Sequence, residues 1–171
     1  MLIENKSSCY SEMNTRKREL CAPYNQLYTI RMIDKINGHI RLNDSLYLEP
    51  NSSFKIIERQ KLGELQEIRD MGNGYKWLDI KNIQIDNQYF IMSLCFLKEK
   101  LSQITMVTND KPFDLNSGWD SWSEKAGKEK LKKFEKWLNK ELAKERKFNW
   151  GEVWTDYDPR RGSSSIGIKY K

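Results

Sequence analysis

Between Trp122 and Leu142 apolar side chains return at steps of three and four residues or their sums, at Trp122, Ala126, Phe134, Leu138 and Leu142, and Leu131 and Trp137 widen the stripe. That period predicts one long amphipathic helix. Its other faces carry Lys125, Lys128, Lys132, Lys136 and Lys140 among Glu124, Glu129, Glu135 and Glu141. Glu124 with Lys128, Glu129 with Lys133, and Glu135 with Lys136 or Lys140 fall within reach for helical pairing, each worth about 0.2–0.5 kcal/mol. Ser117 or Asp120 is placed to cap the start, Gly127 weakens the interior by about 1 kcal/mol relative to Ala, and the basic residues from Lys144 to Lys147 suit the negative end of the helix.

The helix is followed by a predicted hairpin. In Phe148–Thr155 alternation places Phe148, Trp150, Glu152 and Trp154 on one face and Asn149, Gly151, Val153 and Thr155 on the other; in Ser164–Tyr170, Ile166, Ile168 and Tyr170 share a face. Pro159 presets a turn between them and Gly162 can adopt a positive φ, so Tyr157–Ser163 reads as an exposed loop. The stretch from Gly118 to Lys171 holds five of the six tryptophans.

Upstream the period changes from helical to alternating. Gln26–Ile33 is apolar on both faces and predicts a largely buried strand, ended by the Asn37-Gly38 turn. His39–Leu48 has Ile40, Leu42, Leu46 and Leu48 at even spacing, and the interruption at Asn43-Asp44 implies two short strands or one with a bulge. After the turn at Pro50–Ser53, Phe54–Ile57 is expected to start another strand. Lys61–Met71 is ambiguous, with helical spacing broken by Gly63. Trp77–Ile85 reads as a strand with a phase change at Lys81-Asn82, Tyr89–Leu97 as the most apolar and central strand, and Leu101–Val107 as its neighbour across the Lys98–Lys100 turn. The sum is an α+β protein: an antiparallel meander, one long amphipathic helix packed on it, and a C-terminal β-hairpin. Residues 1–23 read as a polar N-terminal arm of the kind that is often mobile, and 24–171 as a single α+β domain.

Composition bounds the functional classes. With 38% hydrophobic and 32% charged residues the chain is globular rather than disordered. No run approaches the roughly 20 apolar residues of a membrane span, and the first twenty residues lack the apolar core of a signal peptide, so the expected location is the cytoplasm. Cys9, Cys21 and Cys95 fit no zinc or redox spacing; Cys95 reads as a buried small hydrophobe. The formal charge is +6. Ten lysines or arginines against six carboxylates between Asp120 and Lys147 place most of that excess on the helix. Such a balance suits an acidic protein surface or a nucleic acid, and equally a solvated helix face.

No residue pattern specifies catalysis. His39 is the lone histidine and has no identifiable partner. No phosphate-binding loop and no dinucleotide fingerprint is present. Glu152, Asp156 and Asp158 are the densest acidic cluster beside the exposed turn, open to acid–base or metal chemistry but equally to ordinary turn hydrogen bonding. The expectation is therefore no catalytic residue, no metal and no cofactor. Trp150, Trp154, Tyr157, Asp158, Arg160 and Arg161 form a different cluster, of the residue types that dominate protein interfaces and also stack on and grip single-stranded nucleic acid. The alternative is that both tryptophans face the core beneath the helix.

Two segments carry a resemblance. Gly118-Trp119-Asp120-Ser121-Trp122-Ser123-Glu124 leads into the lysine-rich helix, and Phe148-Asn149-Trp150-Gly151-Glu152-Val153 is followed by Tyr157-Asp158-Pro159-Arg160-Arg161-Gly162-Ser163-Ser164-Ser165-Ile166. The last third of the chain thereby resembles small bacterial immunity-type or uncharacterised proteins associated with polymorphic toxin systems. The resemblance implies a non-enzymatic protein that neutralises a cognate toxin domain by occlusion. The other reading that the residues support is a basic RNA- or single-stranded-DNA-binding protein.

Overall fold

The sheet is built from two kinds of row. A computed structural model describes residues 31–116, 123–160 and 162–171, all within one compact unit, Arg31–Lys171. The arm at 1–23, residues 26–30 of the expected first strand, Cys9, Cys21, the expected caps Ser117 and Asp120, the stripe residue Trp122 and the candidate site residue Arg161 lie outside the described residues. The elements run β1 (Ile40–Arg41), β2 (Tyr47–Leu48), α1 (Phe54–Arg59), β3 (Leu65–Asp70), β4 (Tyr75–Ile85), β5 (Gln88–Leu97), β6 (Lys100–Asn109), α2 (Glu124–Leu142), β7 (Lys147–Phe148), β8 (Gly151–Asp158) and β9 (Ser163–Tyr170). β3 to β9 form one antiparallel sheet in the order β3-β4-β5-β6-β9-β8-β7, and β1-β2 form a separate two-stranded ladder. The fold is α+β.

The registers align Ile68, Leu78, Leu94, Ile104, Ile168 and Val153 in a single row across six strands. The five residues from Leu78 to Val153 are almost wholly buried, while Ile68, at the edge, is half exposed. This row must be covered, because leaving even one such side chain in water forgoes about 1.5–3 kcal/mol. α2 covers it at the β8-β9 end through Phe134, Leu138 and Leu142. Phe54 and Ile57 of α1, with Ile40 and Leu48 of the small ladder, join the same core. Trp137 pins the rim of α2 to β5, with its ring edge-on to Phe90 and its Nε1–H donating to Gln88 Oε1 at 2.9 Å.

Several expectations hold. The phase change at Lys81-Asn82 is a bulge, with Asn82 at φ 54°, that keeps Ile80 and Ile83 on the same face. The interruption at Asn43-Asp44 separates β1 from β2. Cys95 is buried, and that burial raises its thiol pKa. Glu124 and Lys128 pair at 2.5 Å on the exposed face of α2, which lowers the Glu124 carboxyl pKa.

Others are corrected. Phe54–Ile57 opens a helix rather than a strand: Phe54 and Ile57 are three apart, so helical winding buries both where alternation would separate them. The ambiguous Lys61–Met71 contains β3, an edge strand whose exposure leaves little apolar period to read. α2 is capped by Ser123, whose Oγ accepts from Ala126 N at 3.1 Å. It stops at Leu142, short of Lys144–Lys147, where Ala143 takes φ 56° and Arg146 turns back to donate to the Ala143 carbonyl at 2.7 Å. Glu141, assigned to a solvated face, is buried and accepts from the backbone N–H of Met32 at 2.7 Å and, at 3.4 Å, of Ile33. Gly127 marks the contact between helix and hairpin, since a Cβ there would sit 2.6 Å from the Tyr157 ring.

Glu141→Ala is expected to cost about 2–3 kcal/mol in chemical denaturation, because it strands buried N–H donors, and Glu141→Gln distinctly less because an acceptor remains. Tyr170 donates its hydroxyl to the Gly38 carbonyl at 3.0 Å, and burial raises its pKa well above the ordinary phenol value. The neutral phenol is therefore favoured by folding. Its contribution is intact below about pH 10 and is lost as the pH rises beyond it, once the unfolded chain can ionise. Melting temperatures from pH 9 to 11 should fall for the native chain and flatten for Tyr170→Phe.

Candidate functional site

The helices and the small ladder feed their apolar side chains into one core, and no described helix or strand packs on the opposite face of the large sheet. Two rows run across that outer face. One is Glu67, Asp79, Ser93, Thr105, Gly167 and Trp154; the next is Arg69, Trp77, Cys95, Gln103, Lys169, Glu152 and Lys147. Strand parity alone selects these residues, since each lies one step from the buried row.

The face is fixed at both ends. Toward β3, Arg69 grips Asp79 in a two-point contact, Nε to Oδ2 at 2.6 Å and Nη2 to Oδ1 at 3.1 Å, and its guanidinium lies 5.5 Å from the centre of the Trp77 ring. The hydroxyl of Ser93 donates to the same carboxylate. These bonds hold a charged group and an indole in set positions on the outer face. Toward β8, the indole of Trp154 lies flat over Gly167, where an added Cβ would stand 2.3 Å from the ring. Trp154 and Trp77 are both half-buried, with the sheet as a floor beneath them.

The structure divides the residues singled out in the sequence. Trp150 is not on the face that carries Trp154. It sits in the two-residue turn between β7 and β8, stacked on Phe148 at 4.9 Å, with its Nε1–H donating to the Lys35 carbonyl at 2.8 Å and its ring over Gly38. The expected grouping of Phe148, Trp150, Glu152 and Trp154 on one strand face fails because the chain reverses at Asn149-Trp150. Trp154 lies on the outer face. Tyr157, three residues on and of opposite parity, packs against Gly127 of α2. Asp158 accepts from the Arg160 backbone N–H at 2.9 Å within the turn, and Arg160 is exposed there.

The other candidates resolve into ordinary roles. His39 lies 3.8 Å from Glu49, at a strand end. Glu152 and Asp156 are exposed on the outer face to either side of Trp154. Among the described residues no three His, Cys, Asp or Glu side chains gather as a metal site, and no helix is long and apolar enough to cross a membrane. The Arg69–Asp79–Trp77 group escaped the sequence reading. The one local signal for it is the Gly72-Asn73-Gly74 turn, which suits a hairpin; the pairing of Arg69 with Trp77 comes from the register across it.

A cleft of about 470 Å³ adjoins Trp154, lined by Arg146, Lys147, Glu152, Val153 and Thr155. It opens where β7 ends. β7 pairs with β8 only at Lys147–Glu152 and Phe148–Gly151, supplemented by Val153 N donating to the Arg146 carbonyl at 2.8 Å.

No protein-family model matches the chain, and no curated protein matches it. Among solved structures, it is similar to a chain of the one described as Rhs1-CT in complex with cognate immunity protein RhsI1. The identity is 12%, the match covers 83% of this chain and 88% of that one, and the TM-score is 0.49. A likeness of that degree carries no functional argument.

Gly167→Ala is expected to lift Trp154 from the sheet, shifting indole fluorescence to the red and costing about 1–3 kcal/mol. Combined with Trp154→Ala it should add much less than the two single costs together, which a double-mutant cycle measures directly.

Proposed function

We propose that this chain acts as a non-enzymatic binding module for another protein, and that its outer sheet face is the binding surface. The observation that supports this best is the pair of half-buried tryptophans, Trp77 and Trp154, displayed with Arg69 on a sheet face that no described helix or strand covers. Tryptophan and arginine held rigidly on a flat floor are the anchors that interfaces use. The charges around them are mixed, with Glu67, Asp79, Glu152 and Asp156 beside Arg69, Lys147 and Lys169. That mixture suits a protein surface better than a phosphate backbone. The resemblance of the Gly118–Glu124 and Phe148–Val153 segments narrows the proposal to an immunity protein that occludes a toxin domain in the bacterial cytoplasm. Of the residues read from sequence, Trp154 and Arg160 are the proposed contacts; Trp150, Tyr157 and Asp158 shape the surface from behind or at the turn.

A tagged chain in native lysate should recover one protein in a one-to-one complex. Trp154→Ala and Arg69→Ala should each weaken that complex by at least tenfold in titration calorimetry, whereas Trp150→Ala should lower the melting temperature. Absence of any stoichiometric protein partner contradicts the proposal.

A second reading is supported by the far side of α2, where Lys125, Lys128, Lys132, Lys133, Lys136 and Lys140 are exposed. Binding of mixed oligonucleotides there would fall steeply with salt and would be lost in the double variant Lys132→Glu, Lys136→Glu. Salt-insensitive or absent binding removes this reading.

A further inference from the structure

β8 carries a full ladder on one side and an incomplete one on the other. It pairs with β9 through eight residues, Gly151 to Asp158, but β7 covers only its first two. Backbone groups alternate in direction along a strand. Val153 N points toward β7, where it donates to the Arg146 carbonyl, so Thr155 and Tyr157 direct their N–H and C=O groups to the same side. Among the described residues nothing pairs with those groups. The edge thus offers a two-residue repeat of unused donors and acceptors, with the 470 Å³ cleft alongside.

Unpaired strand edges are templates for an added strand, and folded proteins commonly blunt them. The opposite edge of the sheet, β3, is guarded by charges of both signs in Glu67, Arg69 and Asp70. The β8 edge carries acidic side chains of its own, Glu152, Asp156 and Asp158, but no cation along Gly151–Asp158. Its cleft has an apolar plate, Trp154, at one wall, and a cationic end where Arg146 and Lys147 enter. In the adjoining row Lys147 and Lys169 flank Glu152. That makes three cations to one carboxylate at this end, and none of the three is ion-paired with a carboxylate among the described residues. Arg146 donates to the Ala143 and Glu145 carbonyls and to Asn139 Oδ1 but keeps its charge unneutralised, and Lys147 and Lys169 are the cations left to meet a carboxylate directly.

We infer that β8 receives an extended segment of the partner protein as an added strand, paired to the backbone of Thr155 and Tyr157. The segment carries acidic side chains at the end that meets Arg146 and Lys147, and an apolar side chain opposite Trp154. Main-chain pairing supplies affinity, and the cationic end with the Trp154 plate sets register and sequence preference. This inference rests on the protein-binding reading and specifies how part of that surface is used.

The test uses fluorescein-labelled octapeptides of alternating valine and threonine that end in two glutamates or, as the counterpart, two lysines. The full chain should bind the glutamate peptide in anisotropy titrations at least tenfold more tightly than the lysine peptide. Amide exchange at Thr155 and Tyr157 should slow when it binds. Thr155→Pro removes the outward N–H and is compatible with an edge position; it should weaken binding at least tenfold while circular dichroism stays unchanged. Lys147→Glu, a surface change that leaves the backbone alone, should reverse the preference between the peptides and keeps the test decisive if the proline variant fails to fold. Equal binding of both peptides, no binding of the glutamate peptide, or unslowed exchange at Thr155 overturns the inference. Recovery of the same lysate partner by native chain and Thr155→Pro alike removes the edge while leaving the protein-binding reading in place. If the native chain recovers no partner, that reading fails, and the inference with it.

Discussion

The row of Leu78, Leu94, Ile104, Ile168 and Val153 is the constraint from which the rest follows. Five aliphatic side chains, aligned across five strands on one face, cannot stay in water. Everything amphipathic that is described in the chain is drawn to that face: α2 with Phe134, Leu138 and Leu142, α1 with Phe54 and Ile57, and the β1-β2 ladder with Ile40 and Leu48. Because these elements serve one face, the other is a polar-aromatic floor that no described helix or strand covers. What that floor can do follows from what the core did not need.

Polar groups make the arrangement specific. Glu141 reaches from the end of α2 into the core to take the Met32 N–H. At the helix start Ser164 donates to the Gly127 carbonyl at 2.7 Å, close to where Tyr157 packs. At the sheet end Trp150 and Tyr170 hold the Lys35–Gly38 turn through its carbonyls. Each bond satisfies a buried or half-buried group that would otherwise cost about 1–3 kcal/mol, so together they fix how the helix and the turn lie on the sheet.

Much of this was legible in the sequence. The 3.6-residue stripe gave α2, apolar runs and alternation gave β4 to β6 and β9, with the phase change at Lys81-Asn82 marking the bulge, and the turn residues gave the hairpin order. Reading failed where the local signal is ambiguous. Phe54–Ile57 is too short for period to separate helix from strand. β3, exposed along most of its length, has no apolar stripe to reveal it. Glu141 looked like one more surface charge because sequence cannot show the backbone donors that come to it from 109 and 108 positions away. The candidate site was half legible. Trp154 and Arg160 are surface groups, but the chain reversal at Asn149-Trp150 takes Trp150 to the other side, and the Arg69–Trp77–Asp79 group depends on a cross-strand register that composition does not encode.

The proposed binding surface is one face of one sheet, and hydroxyl-radical footprinting of the chain, free and with its recovered partner, reads that face residue by residue. Trp77 and Trp154 should lose reactivity in the complex while Trp137, on the rim of α2, does not change. Protection confined to α2, with Trp77 and Trp154 as reactive as in the free chain, would contradict the proposed surface.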